Sequence, residues 1–239
     1  GSLTLPYADG NWRSLGVADM AHAILSNRPH RANGDLALHV MRGMALDAGE
    51  TLSAVTARFA AAWGLALNVV PMTNDAVATW VESDEGPLPF QRYFVERQCQ
   101  PKVKSVSFDG AATARPAPGV IEAIRSADAV LIAPSNPWLS VDPILAVPGI
   151  RAALADCAGP VIAVSPLVDG KAVKGPTAKL MSELGLAISN DTIGGHYADF
   201  LNGLIVHNDD PASDSVAVAR TDTMMRNPTD RERVARAAL

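Results

Sequence analysis

Two apolar stretches that end in proline, AVLIAP at residues 129–134 and VIAVSP at residues 161–166, decide the fold class of this sequence. Neither shows the polar alternation of a half-exposed strand, as expected of strands that helices cover on both faces. They begin at Ala129 and Val161, 32 residues apart, which is about the length of one strand–helix–strand unit. The pair therefore predicts two parallel strands that are neighbours in one sheet.

Strand and helix patterns alternate around this pair. Helical patterns are GVIEAIRSA before the first strand, ILAVPGIRAALADC between the two, and PTAKLMSELG after the second. LIVHND from Leu204 and SVAVARTDT from Ser215 predict later strands, and PTDRERVARAAL predicts a closing helix. Such alternation indicates an α/β protein. We expect a Rossmann-like parallel sheet flanked by helices, with a smaller, mainly helical part.

The smaller part is expected at the N-terminus. We predict a helical part over residues 1–64 and a Rossmann-like α/β domain over residues 65–239, with a hairpin insertion near residues 79–108. Thr51 is a suitable N-cap for the helical pattern TLSAVTARFAAAWG, which ends at Gly64. LALNVVPM, from Leu65, predicts a strand, and ATWVESDEGPLPFQRYFVE predicts paired strands with a turn near residues 84–86.

Composition limits the classes of function. The chain has 239 residues, 48% hydrophobic and 19% charged, which is typical of a folded globular protein. A formal net charge of −5 argues against nucleic acid as a partner, because no broad basic surface is available. No apolar run approaches the roughly 18–20 residues that span a bilayer, so we expect no membrane partner. The two cysteines lack metal-ligand spacing and fit a reducing compartment, and we expect the cytoplasm.

Small polar residues follow both strands of the opening pair. Ser135 and Asn136 come after the first strand, and Ser165 comes after the second. Because parallel strands end at one edge of a sheet, and ligands bind outside those carboxyl ends, we expect these side chains to share a crevice. The alternative is local, since Ser135 and Asn136 can also bond their own backbone in a turn that Pro137 fixes.

The loop LVDGKAVKGPT at residues 167–177 adds a candidate anion site. Lys174 and Gly175 precede Pro176, which suits the first turn of the following helix. A helix N-terminus beside a lysine favours an anion, with phosphate as the natural candidate. Alternatively the loop lysines are ordinary solvated charges. The sequence contains neither a Walker A element nor a GxGxxG fingerprint.

The remaining polar candidates have structural interpretations. Asp142 precedes Pro143 and is expected to be an N-cap rather than a catalytic carboxylate. No histidine has a partner at ligand spacing, so we expect packing or surface roles for His22, His30, His39, His196 and His207. No nucleophile–base pair is recognisable along the chain.

A long stretch carries a family resemblance. RPAPGVIEAIRSADAVLIAPSNPWLSVDPILAVPGIRAAL, followed by VIAVSPLVDGKAVKGPTAKLMSELG, closely resembles the 2-phospho-L-lactate transferases of coenzyme F-420 biosynthesis. The resemblance runs from roughly Asp35 to Leu239 and includes YADFLNGLIVHNDD and TDTMMRNPTDRERVARAAL. In that family a smaller, mainly helical part joins a Rossmann-like sheet.

The resemblance implies a reaction and a set of site residues. It implies transfer of a phospholactyl-type group from a guanosine diphosphate-linked donor to the deazaflavin Fo, releasing GMP, with Mg²⁺ as cofactor and a homodimer as the assembly. Its SNP motif stands at Ser135, Asn136 and Pro137, and its KGP motif at Lys174, Gly175 and Pro176. The donor acid can be phospholactate, phosphoenolpyruvate-derived or phosphoglycerate-derived. Individual catalytic residues and metal ligands are not assigned.

Two family elements are not found in this sequence. They are the glycine-rich phosphate loop and the aspartate-rich segment that looks like the metal and Fo site. The LGDRDLATH element is represented by ANGDLALH around Asp35 or by SLGVADMAH around Asp19, and spacing favours Asp35, which the resemblance then implies as a substrate-binding residue. We expect either that an N-terminal portion lies outside this sequence or that the donor and metal site is lost. In the second case the alternative function is a non-catalytic nucleotide- or nucleotide-sugar-binding regulatory module.

Overall fold

A computed structural model describes residues 49–172 and 175–238, and the chain divides into two compact units, Gly1–Val69 and Val70–Leu239. Asp35 and Lys174 lie outside the described residues, as do His22, His30 and His39. The predicted boundary between residues 64 and 65 stays a prediction.

In the first unit, helix α1 spans Leu52–Ala62. Its N-cap is Thr51, whose side chain accepts a hydrogen bond from the backbone N–H of Ala54 at 3.3 Å. The chain leaves the helix through Gly64 at φ +65°, a conformation that glycine adopts without strain. The strand predicted for residues 65–72 is wrong, because these residues pair with no strand of the described chain and Leu67 is 78% exposed.

The second unit begins with an antiparallel sheet. Strands β1 (Ala78–Ser83), β2 (Gly86–Pro89) and β3 (Val103–Asp109) lie in the order β2-β1-β3. The expected turn joins β1 to β2, and Ser83 Oγ donates to the carbonyl of Gly86 at 2.7 Å.

The second strand is shorter than its sequence pattern suggested. β2 stops at Pro89, and Arg92–Glu96 forms a π-helical turn instead of continuing the strand. Pro87 and Pro89 have no N–H with which to extend a ladder, and the turn places Tyr93 in the core at 0% exposure.

The principal sheet is parallel, as predicted. Its strands are β4 (Val130–Ile132), β5 (Val161–Val164), β8 (Gly203–His207) and β9 (Ala217–Thr221), in the order β4-β5-β8-β9. The strands formed by AVLIAP and VIAVSP are therefore adjacent in the sheet, with Val130 opposite Val161. A small antiparallel ribbon follows β5 and consists of β6 (Leu167–Val168) and β7 (Lys171–Ala172). The α/β class with a parallel sheet is confirmed.

Six helices accompany these strands in the described part of the second unit. They are α2 (Val120–Arg125), α3 (Asp142–Leu145), α4 (Ile150–Ala155), α5 (Thr177–Glu183), α6 (Asn190–His196) and α7 (Pro228–Ala237). The single helix predicted from ILAVPGIRAALADC is wrong, because the chain forms α3 and α4 instead. Pro148 carries no N–H for a helix interior, and Gly149 lies at φ +91°, outside the helical region.

The core joins side chains of the parallel sheet to those of its helices. Val161, Leu204 and Val206 of the sheet are at most 1% exposed, as are Leu180 and Met181 of α5. Burial of each large apolar side chain contributes about 1.5–3 kcal/mol. Among the described helices, none is long and apolar enough to cross a membrane.

Candidate functional site

A cavity of about 640 Å³ lies at the carboxyl ends of β4, β5 and β9. It is within the size range of small-molecule sites, which measure roughly 300–1,000 Å³. Five of the predicted residues line it together: Ser135, Asn136, Ser165, Gly175 and Pro176. The parallel sheet thus brings two residues of the SNP motif and two of the KGP motif to one crevice. Their ligand-binding role stays a prediction.

Of the predicted site residues that are not in this group of five, the structure describes only Pro137. Pro137 is buried as the first residue of a π-helical turn, Pro137–Val141, and does not line the cavity. Asp35 and Lys174 belong to the part of the chain without a described structure. Pro176 is the N-cap of α5 rather than part of its first turn.

Asn136 makes the local backbone contacts that one of the two interpretations of its sequence predicted. Its Oδ1 accepts hydrogen bonds from the backbone N–H groups of Trp138 and Leu139, both at 3.0 Å, and so caps the turn. Its Nδ2 is buried and has no hydrogen-bond partner among the described residues. A buried donor without a partner costs about 1–3 kcal/mol.

The Ser165 hydroxyl forms its hydrogen bonds within the protein. Its hydroxyl donates to Asn190 Oδ1 at 2.6 Å and accepts from the backbone N–H of Leu167 at 3.1 Å. Asn190 in turn donates to the carbonyl of Pro211 at 3.0 Å. Because the Ser165 O–H already donates to Asn190 and the residue is 2% exposed, Ser165 stabilises the cavity wall and has no free donor for a ligand.

The segment after β9 forms a further wall, which the sequence reasoning missed. Thr223, Met224, Met225 and Arg226 all line the cavity. The signal was present, since these residues follow a predicted parallel strand and must emerge at the same edge as the SNP turn. Arg226 is the one charged side chain among the described residues of the lining.

Arg226 belongs to an ionic network at the start of α7. Its guanidinium binds Asp222 and, at 3.0 Å, Asp230. Arg233 binds Asp230 at 2.7 Å and Asp222 at 3.3 Å. Hydrogen bonds from Arg233 and Arg226 lower the pKa of Asp230 to about 2. The backbone N–H of Met224, with Arg226, lowers the pKa of Asp222. Both carboxylates are therefore charged at neutral pH and hold the Arg226 segment in place.

His207 also supports this wall. It is the last residue of β8, is 8% exposed, and accepts a hydrogen bond from the backbone N–H of Thr223 at its Nδ1. Its other ring nitrogen lies 3.1 Å from the side-chain amide of Asn208. The expectation of a packing role agrees with these contacts.

Asp142 has a partner that the sequence did not indicate. It is the first residue of α3 and not its N-cap, and its Oδ1 lies 2.7 Å from His196 Nε2. The His196 ring packs 5.3 Å from that of Trp138 and 5.0 Å from that of Tyr197. Burial raises the pKa of Tyr197. None of these side chains lines the cavity, so the pair joins α3 to α6.

Another cavity, of about 410 Å³, lies at the opposite edge of the sheet, beside Pro160 and Asn202. Its charged side chain, Asp199, is already bound by Arg151 in a pair with a 2.6 Å contact. Asn202 Oδ1 accepts from the backbone N–H of Val161 at 2.7 Å. The larger cavity is the better candidate, because it lies at the carboxyl ends of the parallel strands, where ligands bind in open α/β sheets.

The donor groups of the larger cavity suit an anionic ligand. Asn136 Nδ2 offers a buried hydrogen-bond donor, and Arg226 offers a charged one, the type that binds phosphate most strongly. Within residues 49–172 and 175–238, no group of three or more His, Cys, Asp or Glu side chains is arranged to hold a metal ion.

One family model and several known transferases are similar to this chain in sequence. The family model described as 2-phospho-L-lactate transferase CofD matches residues 14–239. The 2-phospho-L-lactate transferase of Halobacterium salinarum is 41% identical over 203 residues, covering 85% of this chain and 59% of the relative. That of Haloarcula marismortui is 37% identical over 227 residues, covering 95% and 65%. The phosphoenolpyruvate transferase of Mycobacterium sp. strain KMS is 36% identical over 217 residues, covering 86% and 66%. The chain thus spans less than two thirds of these relatives.

Solved structures share the fold. Protein BH3568 from Bacillus halodurans superposes with a TM-score of 0.61 at 18% identity, covering 89% of this chain and 73% of that one. A second structure of the same protein, a member of the upf0052 family, gives a TM-score of 0.58 at 20% identity, covering 82% of this chain and 70% of that one.

Proposed function

The chain belongs to the 2-phospho-L-lactate transferase CofD family, and we propose that it transfers a phospholactyl-type group from a guanosine diphosphate-linked donor to the deazaflavin Fo in coenzyme F-420 biosynthesis. A hydroxyl oxygen of Fo attacks the phosphorus that carries the acid. The new P–O bond forms as the bond to the second phosphate breaks, the hydroxyl proton is released, and GMP leaves. Catalysis of this kind depends on positioning and on neutralising phosphate charge.

The observation that supports this proposal most is that Asn136 and Arg226, two side chains with donors suited to phosphate, line the same cavity. Arg226 is exposed, and its guanidinium pairs with Asp222 and Asp230, which also bind Arg233. A diphosphate presents acceptor oxygens to both groups. Asn136 caps the turn Pro137–Val141 through its Oδ1, so its side chain is already held in place before a ligand binds.

The donor acid stays open within the proposal. Relatives named for phospholactate and for phosphoenolpyruvate are similarly distant from this chain, at 41% and 36% identity. A phosphoglycerate-derived donor is the third candidate. The three acids differ by few atoms next to the phosphate, so the diphosphate contacts proposed for Asn136 and Arg226 apply to each.

Mg²⁺ remains a proposal from the family resemblance. The ion would neutralise charge on the diphosphate. Within residues 49–172 and 175–238, no three His, Cys, Asp or Glu side chains are grouped to hold it. Homodimerisation and a cytoplasmic location likewise stay predictions.

A turnover assay tests the proposal. The protein is mixed with Fo, Mg²⁺ and each guanosine diphosphate-linked acid in turn, and GMP and phosphorylated deazaflavin are separated by chromatography. We expect equal amounts of the two products with one of the donors. GMP without modified Fo indicates donor hydrolysis, and neither product with any donor contradicts the proposal.

The second candidate function is a regulatory module that binds a nucleotide or nucleotide sugar without turnover. The lack of a metal-binding group within the described ranges favours it. Calorimetric titration with GDP separates the two functions when combined with the assay. Tight binding in the absence of any turnover supports the module, whereas binding with turnover supports the transferase.

A further inference from the structure

Two phenylalanine rings form part of the same cavity, and we propose that they are the surface on which the deazaflavin ring system of the acceptor stacks. The proposal concerns Phe90 and Phe94, which both line the cavity. It rests on the proposed function, in which two ligands carry ring systems, Fo and the guanosine of the donor. The proposal assigns Fo to one wall of the cavity.

The two rings make a continuous aromatic surface. Their centroids lie 5.3 Å apart with an interplanar angle of 27°, a stacked arrangement. Phe90 is half-buried against the core, whereas Phe94 is 42% exposed. A large aromatic side chain with so much free surface, next to a cavity, is available to a planar ligand.

The surface is held in place by the residues around it. Phe94 lies on the π-helical turn Arg92–Glu96, and its neighbour Tyr93 is fully buried. Lys179 of α5 lies 5.9 Å from the centre of the Tyr93 ring and donates to the carbonyl of Pro101 at 2.8 Å. Because Tyr93 is buried and the Phe94 ring stacks on Phe90, Phe94 is supported at its backbone and at its ring. Such π-helical turns are frequent at functional sites.

The chemistry of this wall favours the deazaflavin over guanine. Besides the two phenylalanines, the apolar lining of the cavity includes Leu139, Val168, Met224 and Met225, whose side chains offer no strong hydrogen-bond donor. The deazaflavin has three fused rings against the two of guanine, so it offers more ring surface to cover both phenylalanines. Methionine sulfur also adapts well to aromatic rings.

The test is a pair of titrations with Fo alone and with GDP alone. Removal of one stacked ring typically weakens binding by about 5- to 100-fold. We expect Phe94→Ala to weaken Fo binding to this extent and to leave GDP binding within about twofold. Phe94→Tyr, which keeps the ring, should restore Fo binding. Val95→Ala is the matched control, because Val95 is 65% exposed and does not line the cavity.

The outcomes separate this proposal from the proposed function. Weakened GDP binding with unchanged Fo binding means that guanine stacks here and overturns the assignment. If Phe94→Ala binds both ligands like the wild-type protein while turnover persists, the aromatic surface is wrong and the transferase stands. If the wild-type protein binds GDP but not Fo, both fail. Thermal unfolding of each variant shows whether the change is confined to binding, and Phe90→Leu serves as a second variant if Phe94→Ala is unstable.

Discussion

Nδ1 of His207 accepts a hydrogen bond from the backbone N–H of Thr223 at a distance of 3.1 Å, which joins the end of the buried strand β8 to the wall of the cavity. Thr223 is 6% exposed, so its N–H has little access to water. The contact therefore fixes the position from which Met224, Met225 and Arg226 reach the cavity.

Loss of this acceptor should loosen the wall. His207→Ala leaves a buried N–H without a partner, and we expect the free energy of unfolding to fall by about 1–3 kcal/mol. His207→Asn offers an amide oxygen and should recover part of the loss. Urea unfolding measures the stability, and amide exchange of residues 222–226 should be faster in His207→Ala. Unchanged exchange would contradict a supporting role for His207.

Arg226 should contribute to binding of the phosphates. Arg226→Gln removes a charged donor from the cavity, and we expect the Kd for GDP to rise about 10-fold, equivalent to about 1.4 kcal/mol. Arg236→Gln is the control, because Arg236 is 75% exposed and pairs with Glu232 away from the cavity. Calorimetric titration at two salt concentrations measures both variants. An equal loss in both would indicate a general effect of charge.

Ser165 should matter more for stability than for binding. Ser165→Ala leaves Asn190 Oδ1 and the backbone N–H of Leu167 without a bond that each now makes. We expect the free energy of unfolding to fall by about 1–3 kcal/mol and the Kd for GDP to change less than threefold. Ser182→Ala, at an exposed position on α5, should stay within about 0.5 kcal/mol of wild type. A large loss of affinity with normal stability would give Ser165 a direct ligand contact instead.

Asp230 should make stability sensitive to acid. Its folded-state pKa of about 2 lies below the ordinary value of about 3.9, so the unfolded chain takes up the proton at higher pH. The stabilisation is therefore complete above about pH 5 and is lost as the pH falls towards about 2. Urea unfolding between pH 2 and pH 7 should show a shallower acid dependence for Asp230→Asn than for wild type. Parallel curves would contradict the shift.

The parallel sheet and the meeting of its exit turns could be predicted from local pattern, because both depend on short-range features. Apolar runs without alternation and a spacing of one strand–helix–strand unit were sufficient to pair Val130 with Val161. Asn136 and Gly175 then had to emerge at one edge. The same rule applied to the strand ending at Thr221 would have located Arg226.

The predictions from sequence were wrong or incomplete where backbone geometry or contacts between distant residues outweighed a local pattern. Residues 65–72 have the apolar content of a strand but no partner among the described strands, and a strand gains its stability from pairing. The Asp142–His196 contact links residues 54 positions apart, so no local signal could reveal it. The unpartnered Nδ2 of Asn136 is equally invisible in sequence, because it depends on what surrounds a folded turn.

The most direct test of the account is calorimetric titration of GDP into wild-type protein and Asn136→Asp. The carboxylate keeps the acceptor that caps Trp138 and Leu139 but replaces the unpartnered amide donor with a negative charge. We predict at least about 10-fold weaker binding by the variant, and circular dichroism checks that the variant is folded at the temperature of the titration. Equal affinity in the two proteins, or no binding by the wild type, would contradict the assignment of the cavity to the phosphate-bearing donor.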